Sequence, residues 1–192
     1  RETYPQDFEP ALHAASVLLT QKQYRAAFHV IDDAVRQLRC PPELLLETVL
    51  CLQQFAAANT LVQLCAQFDQ ADQLPAKTLA RTASLLMHFG LGDQAEVLLR
   101  VALGKAPSDP LCLINQAFLL FYRDQPDAAA QALEMLIGGT QDVAMAHWLL
   151  SRLRRQTPAD HHVARLRERL SRIGLHEDDR AWLGFALFKE LD

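Results

Sequence analysis

Glycine is scarce, long hydrophobic runs are missing, and no cysteine has a partner at metal-binding spacing. Only 7 glycines occur in 192 residues, and the β-branched alternation of half-buried strands is lacking. Both absences argue against sheets and for an all-α chain. No apolar run reaches the roughly 18–20 residues of a membrane helix. The opening stretch RETYPQDFEP has no apolar core followed by a small-residue cleavage site, so it does not read as a secretory signal. Cys40, Cys51, Cys65 and Cys112 form no C-x-x-C pair and lie mostly within helical patterns. Free thiols in a cytoplasmic protein are expected, rather than a disulfide or metal framework. The net charge of −4 disfavours nucleic acid as a partner of the whole chain.

Reactive motifs are missing as well. There is no G-x-S-x-G, P-loop or G-x-G-x-x-G. Gly90-Leu91-Gly92 follows a helical pattern rather than a strand, so it reads as a turn between helices. His161 and His162 would point about 100° apart on a helix, and no cysteine or carboxylate stands at ligand spacing, so no metal is expected. No catalytic, cofactor or metal residue is proposed by the sequence. The chain begins without Met and stops inside an apolar-periodic run at 188–192, and it is expected to be a piece of something longer.

What is present is a repeated helical pair. The stretch 76–110 holds two amphipathic runs, 76–89 and 93–105, broken at Gly90 and Gly92 and closed by Pro107. The same template fits every 34 residues, beginning near Phe8, Pro42, Ala76, Pro110 and Ala144. Its eighth position carries Ala15, Val49, Ala83, Ala117 and Ser151; its twentieth carries Ala27, Leu61, Ala95, Ala129 and Val163. Two helices approach closely only where the facing residues are small and larger aliphatics fill the space around them. Leucine at the eleventh position (Leu18, Leu52, Leu86, Leu120) supplies that filling, before Arg154 interrupts the set. Asp109-Pro110 and Thr157-Pro158 read as N-cap followed by first helical residue. Asp178 or Asp179 reads as the cap of a last helix, which would open a sixth, truncated unit.

These residues resemble the tetratricopeptide repeat. The match rests on Ala15, Leu18, Tyr24, Ala27, Ile31 and Ala34 in the first unit. In the third it rests on Ala83, Leu86, Gly90, Ala95, Leu99, Ala102 and Pro107, and in the fourth on Ala117, Leu120, Ala129 and Leu133. The second unit departs, with Val49 and Leu61 where small residues belong, and its helices are expected to sit further apart. The fifth, over 144–177, is a degenerate pair with helices near 143–155 and 158–172. The resemblance implies a single helical-hairpin superhelix of about ten or eleven helices whose first helices line an inner groove. Arg180, Leu183, Phe185, Ala186 and Leu187 are similar to a segment in the repeat arm of bacterial tetratricopeptide–sulfotransferase fusions. That second likeness implies a catalytic domain beyond residue 192 that uses 3′-phosphoadenosine-5′-phosphosulfate.

If the register holds, the groove presents Lys77, Arg81, Ser84 and His88, with Ala80 and Met87 between them. Further along come Asn115, Phe118 and Tyr122, with Ile114 and Phe121, then Trp148, Arg152 and Arg155. An aromatic floor with an arginine rim suits a protein or peptide carrying apolar anchors and acidic groups. The same residues could instead pack between repeats. Lys77 and Arg81 alone do not make a carboxylate clamp, since Leu12, Ser16 and the repelling Glu47 occupy the matching places in earlier units. The seven arginines between Arg152 and Arg172 read first as a solvated helix, then as contact with an acidic partner or adjoining domain. An uncapped last helix carrying Trp182, Phe185 and Phe188 is expected to promote self-association. Two readings therefore stand, a binding scaffold and the arm of a sulfotransferase, and in neither does this stretch catalyse anything.

The register makes a direct prediction. Ala95→Leu or Ala129→Leu should overpack a helix pair and cost about 1–3 kcal/mol. Thermal denaturation reads this, and an unchanged melting temperature in either variant would refute the register.

Overall fold

The helical spacing of the sequence is carried into the backbone. The computed structural model describes residues 7–67, 71–139, 143–153 and 162–192, and among these it is all-α, with no strand. The helices are α1 (Phe8–Thr20), α2 (Tyr24–Gln37), α3 (Leu45–Gln53), α4 (Ala58–Ala66), α5 (Ala76–His88) and α6 (Gly92–Lys105), then α7 (Pro110–Tyr122), α8 (Pro126–Ile137), α9 (Ala144–Leu153), α10 (Val163–Leu170) and α11 (Glu177–Leu191). Short 3₁₀ turns, Pro42–Leu44 and Ala71–Gln73, lead into α3 and α5. No helix among the described residues is long and apolar enough to cross a membrane. The chain divides into two compact units, Arg1–Lys105 and Ala106–Asp192.

In the first unit α1 packs on α2 and α5 on α6, while α3 touches both α1 and α5, and α4 leans on α2. Ala15, Ala27, Ala83 and Ala95 have no solvent exposure, so the small residues stand at the helix contacts as the spacing requires. Between α3 and α4 the contact is sparse. There the eighth and twentieth positions are Val49 and Leu61, both fully buried, and their bulk keeps the two helices from closing on one another. Gln67 ties this looser region to α2. Its amide nitrogen donates to the carbonyls of Val35 (2.6 Å) and Leu38 (3.3 Å), and its amide oxygen accepts from the Cys40 N–H at 3.0 Å. Those bonds satisfy carbonyls and an amide left open where α2 ends.

The turns repeat as faithfully as the helices. Lys22, Ala56, Gly90 and Asp124 all have positive φ, at 60°, 50°, 72° and 56°, and they lie 34 residues apart. At three of them the chain closes a Schellman turn. The next residue's N–H reaches back to the eleventh-position leucine: Gln23 to Leu18 at 2.9 Å, Leu91 to Leu86 and Gln125 to Leu120 at 3.0 Å. At Ala56 the Ala56 N–H to Gln53 carbonyl bond is kept, at 3.3 Å. Glycine stands at only one of these left-handed positions.

In the second unit α7 packs on α8, α8 on α9, and α9 chiefly on α11, with α10 also against α11. The sequence reading paired α9 with the helix that follows it. The reason for the difference is the composition of α10, an eight-residue helix whose one buried side chain is Leu166. Helix α11 instead offers Leu183 and Ala186, which form a buried cluster with Ala144 and Leu166, flanked by Trp148, Trp182, Leu170, Leu175 and Leu187. Asp109 caps α7 as expected, its carboxylate accepting from the N–H groups of Leu111 (3.0 Å) and Cys112 (3.1 Å). The cap of α11 is not Asp178 or Asp179 but His176, whose Nδ1 accepts from the Asp178 N–H at 3.3 Å; the two aspartates sit in the first turn. The expected Thr157-Pro158 cap lies outside the described residues.

Left-handed backbone costs a non-glycine residue roughly 1–2 kcal/mol. Ala56→Gly should therefore raise stability and Gly90→Ala lower it, each by about 1 kcal/mol. No atom lies within 4 Å of a Cβ added at Gly90, so the cost there is conformational rather than steric. Urea denaturation measures both, and a Gly90→Ala variant as stable as the parent would contradict the turn geometry.

Candidate functional site

Helix α7 is apolar on nearly every side, so after packing on α8 it still turns aromatic side chains outward. Phe118 is half-buried, while Phe121 is 45% and Tyr122 71% exposed. These three, with Ala117 of α7, Leu133 of α8, and Leu149, Arg152 and Leu153 of α9, line a cavity of about 120 Å³. A void of roughly 150 Å³ lined by such side chains accepts a benzene-sized guest, so this one has room for a single large apolar group. Arg152 is the one ionised residue in the lining. Its guanidinium carbon lies 4.8 Å from the centre of the Trp148 ring, a cation–π contact. Trp148 in turn packs against Trp182 of α11, with ring centres 4.8 Å apart and planes tilted by 52°. A chain of contacts thus runs from the α9–α11 core out to the rim: Trp182 positions Trp148, and Trp148 positions Arg152.

The sequence-predicted groove residues fall in both units. Lys77, Arg81 and His88 are exposed and Ser84 half-buried on one face of α5, in the first unit; His88 Nδ1 donates to the Ser84 carbonyl at 2.7 Å. Ala80, expected beside them, is fully buried. In the second unit Phe118, Tyr122 and Arg152 come together at the cavity, and Trp148 stands behind Arg152. Asn115, expected in the groove, is only 2% exposed. It falls on the side of α7 that carries Cys112 and Leu119, also buried, rather than on the aromatic side. Arg155 lies outside the described residues. Leu133, Leu149 and Leu153 were missed, because a groove assigned to first helices leaves no place for α8 or for the second side of α9.

A second, polar cluster joins α8, α10 and α11. Arg165 grips Glu134 with two bonds, at 2.7 and 3.0 Å. His162 receives Glu190 on both sides of its own backbone: its N–H donates to Oε2 at 2.6 Å and its Nδ1 lies 2.8 Å from Oε1. The other ring nitrogen is 3.5 Å from Glu134. The Glu190 side chain is 1% exposed, a buried carboxylate held by these bonds. Sequence reasoning treated Arg165 as part of a solvated helix or as a contact for an acidic partner; its partner is the chain's own Glu134. The signal for Glu190 was present, since 183, 186 and 190 fall on one helical face and the first two are apolar. The Arg165 bonds hold the Glu134 carboxyl below its usual range against the opposing effect of burial, with Arg165 and His162 charges adding to the lowering.

The four thiols are free, and burial pushes each up to about 11, so none is set up as a nucleophile. Among the described residues no three His, Cys, Asp or Glu side chains converge on a metal position. No protein-family model matches the chain, and comparison with curated proteins and with solved structures finds no match either.

A carboxyl whose folded pKa is depressed contributes stability above its unfolded value and loses it as acid titrates the folded group. Arg165→Gln should thus lower the melting temperature at about pH 7, and the deficit should shrink progressively as pH falls below about 4 and Glu134 takes up its proton. Equal destabilisation across that range would show that Arg165 acts through packing and not through Glu134.

Proposed function

We propose that this chain is a binding scaffold of tetratricopeptide-type helical pairs that captures a protein or peptide at the α7–α8–α9 cavity. The observation that carries the reading is an open apolar cavity ringed by outward-facing aromatics, with Arg152 on its edge. Isolated exposed hydrophobics are ordinary on protein surfaces, but Phe121 and Tyr122 are adjacent, in ring contact at 6.1 Å, and border a void. Aromatic and arginine side chains around a pocket are the composition that dominates binding energy at protein interfaces. The tetratricopeptide assignment is supported by the 34-residue recurrence of buried small residues and left-handed turns. Burial raises the thiol pKa values and makes Cys40 and Cys65 poor nucleophiles, which agrees with a binding role.

Peptides selected on the chain from a random display library provide the test. Phe121→Ala and Tyr122→Ala remove exposed side chains and should leave the melting temperature nearly unchanged. Selected peptides should nevertheless bind each variant about tenfold or more weakly. Selected peptides that bind both variants as tightly as the parent would place the interaction elsewhere and overturn the proposal.

A further inference from the structure

Resting on that reading, the geometry points to the chemistry of the ligand: a peptide in which one Leu or Phe side chain directly adjoins an Asp or Glu. Three observations carry this. First, the cavity's volume of about 120 Å³ suits a single large apolar side chain, and its lining residues are apolar apart from Arg152 and Tyr122. Second, Arg152 is exposed and rests on the Trp148 ring, and among the described residues no carboxylate pairs with it. A cation resting on an aromatic face keeps its N–H donors free for an anion, and the ring limits the conformations the side chain loses on binding. Arg36, Arg100, Arg165 and Arg172, by contrast, meet carboxylates within the chain, at Asp32, Glu96, Glu134 and Glu168. Third, Arg152 lines the same cavity as Phe118 and Leu149, so anion and apolar group must come from neighbouring residues of one ligand.

Charge complementarity sets the choice of partner. A lysine- or arginine-flanked apolar residue meets repulsion at Arg152, whereas a carboxylate meets a planar, preorganised donor set. Both tryptophans of the chain, Trp148 and Trp182, lie in the stack behind Arg152. Tryptophan emission therefore reports on this place alone.

The probes are blocked peptides of sequence acetyl-Gly-Gly-Leu-Glu-Gly-amide and its Leu-Gln and Leu-Lys analogues, titrated into the full chain and followed by tryptophan emission. The Glu peptide should bind about five- to tenfold more tightly than the Gln peptide, and the Lys peptide more weakly still. Arg152→Gln should bring the Glu and Gln peptides to equal affinity, while Arg152→Lys, which keeps a point charge, retains part of the preference. Equal affinities on the parent chain, or a preference that survives Arg152→Gln, would overturn the acidic specificity and leave the cavity reading standing if Phe121→Ala still weakens both peptides. An emission change that follows protein concentration and is not displaced by peptide would mean that a second copy occupies the site, which also overturns the inference. Binding of none of the three peptides up to millimolar concentration overturns it as well, whereas the display-selected peptides judge the cavity independently.

Discussion

The structure depends on how closely two helices can approach. Alanine at the contact positions of α1 with α2, α5 with α6 and α7 with α8 lets each pair close until Ala27, Ala95 and Ala129 have no exposed surface. The surrounding leucines then reach across the pair, and one extra methylene group at the contact would be felt because interiors are packed at crystal-like density. Closure at this distance also shortens the permissible connection. The chain must reverse within a few residues, and the left-handed residue at Lys22, Gly90 and Asp124 turns the freed amides back onto the preceding helix. Side-chain size and turn geometry are thus two parts of one solution.

Where this constraint is relaxed, other interactions take over. Val49 and Leu61 hold α3 and α4 apart, and Gln67 spans from α4 to the end of α2 with three hydrogen bonds. Asp32 plays a related part from α2, accepting from the Thr60 hydroxyl at 2.5 Å and from Arg36 at 2.8 Å. Burial raises the Asp32 carboxyl, yet these two partners, with the His29 charge, bring it below its usual range. In the second unit the arginine-rich α10 cannot supply a broad apolar face, so α9 takes α11 as its partner, while Arg165 of α10 pairs with Glu134 and His162, just before α10, bonds Glu190.

That rearrangement bears on the cavity. Because α9 is held by α11 through Trp148 and Trp182, its outer edge is available to face α7, and Arg152 projects from that edge. The aromatics of α7 and the arginine of α9 come from patterns that looked like one long groove in the sequence. Folded, they make a pocket within the second unit.

Helix content, the 34-residue recurrence, the buried alanines and the Asp109 cap were legible in the residues alone, because each is a local requirement: side-chain size at a contact, or an oxygen beside open N–H groups. The partner of α9, the burial of Asn115 and Glu190, and the use of His176 as a cap were not legible. Each depends on which of several competing apolar faces wins, and periodicity marks a face without naming what covers it. Exposure of Phe121 and Tyr122 belongs to the same class. Only tertiary packing decides which aromatics of a helix that is apolar all round remain outside, since the core can enclose one side of α7 and has no surface left for the other.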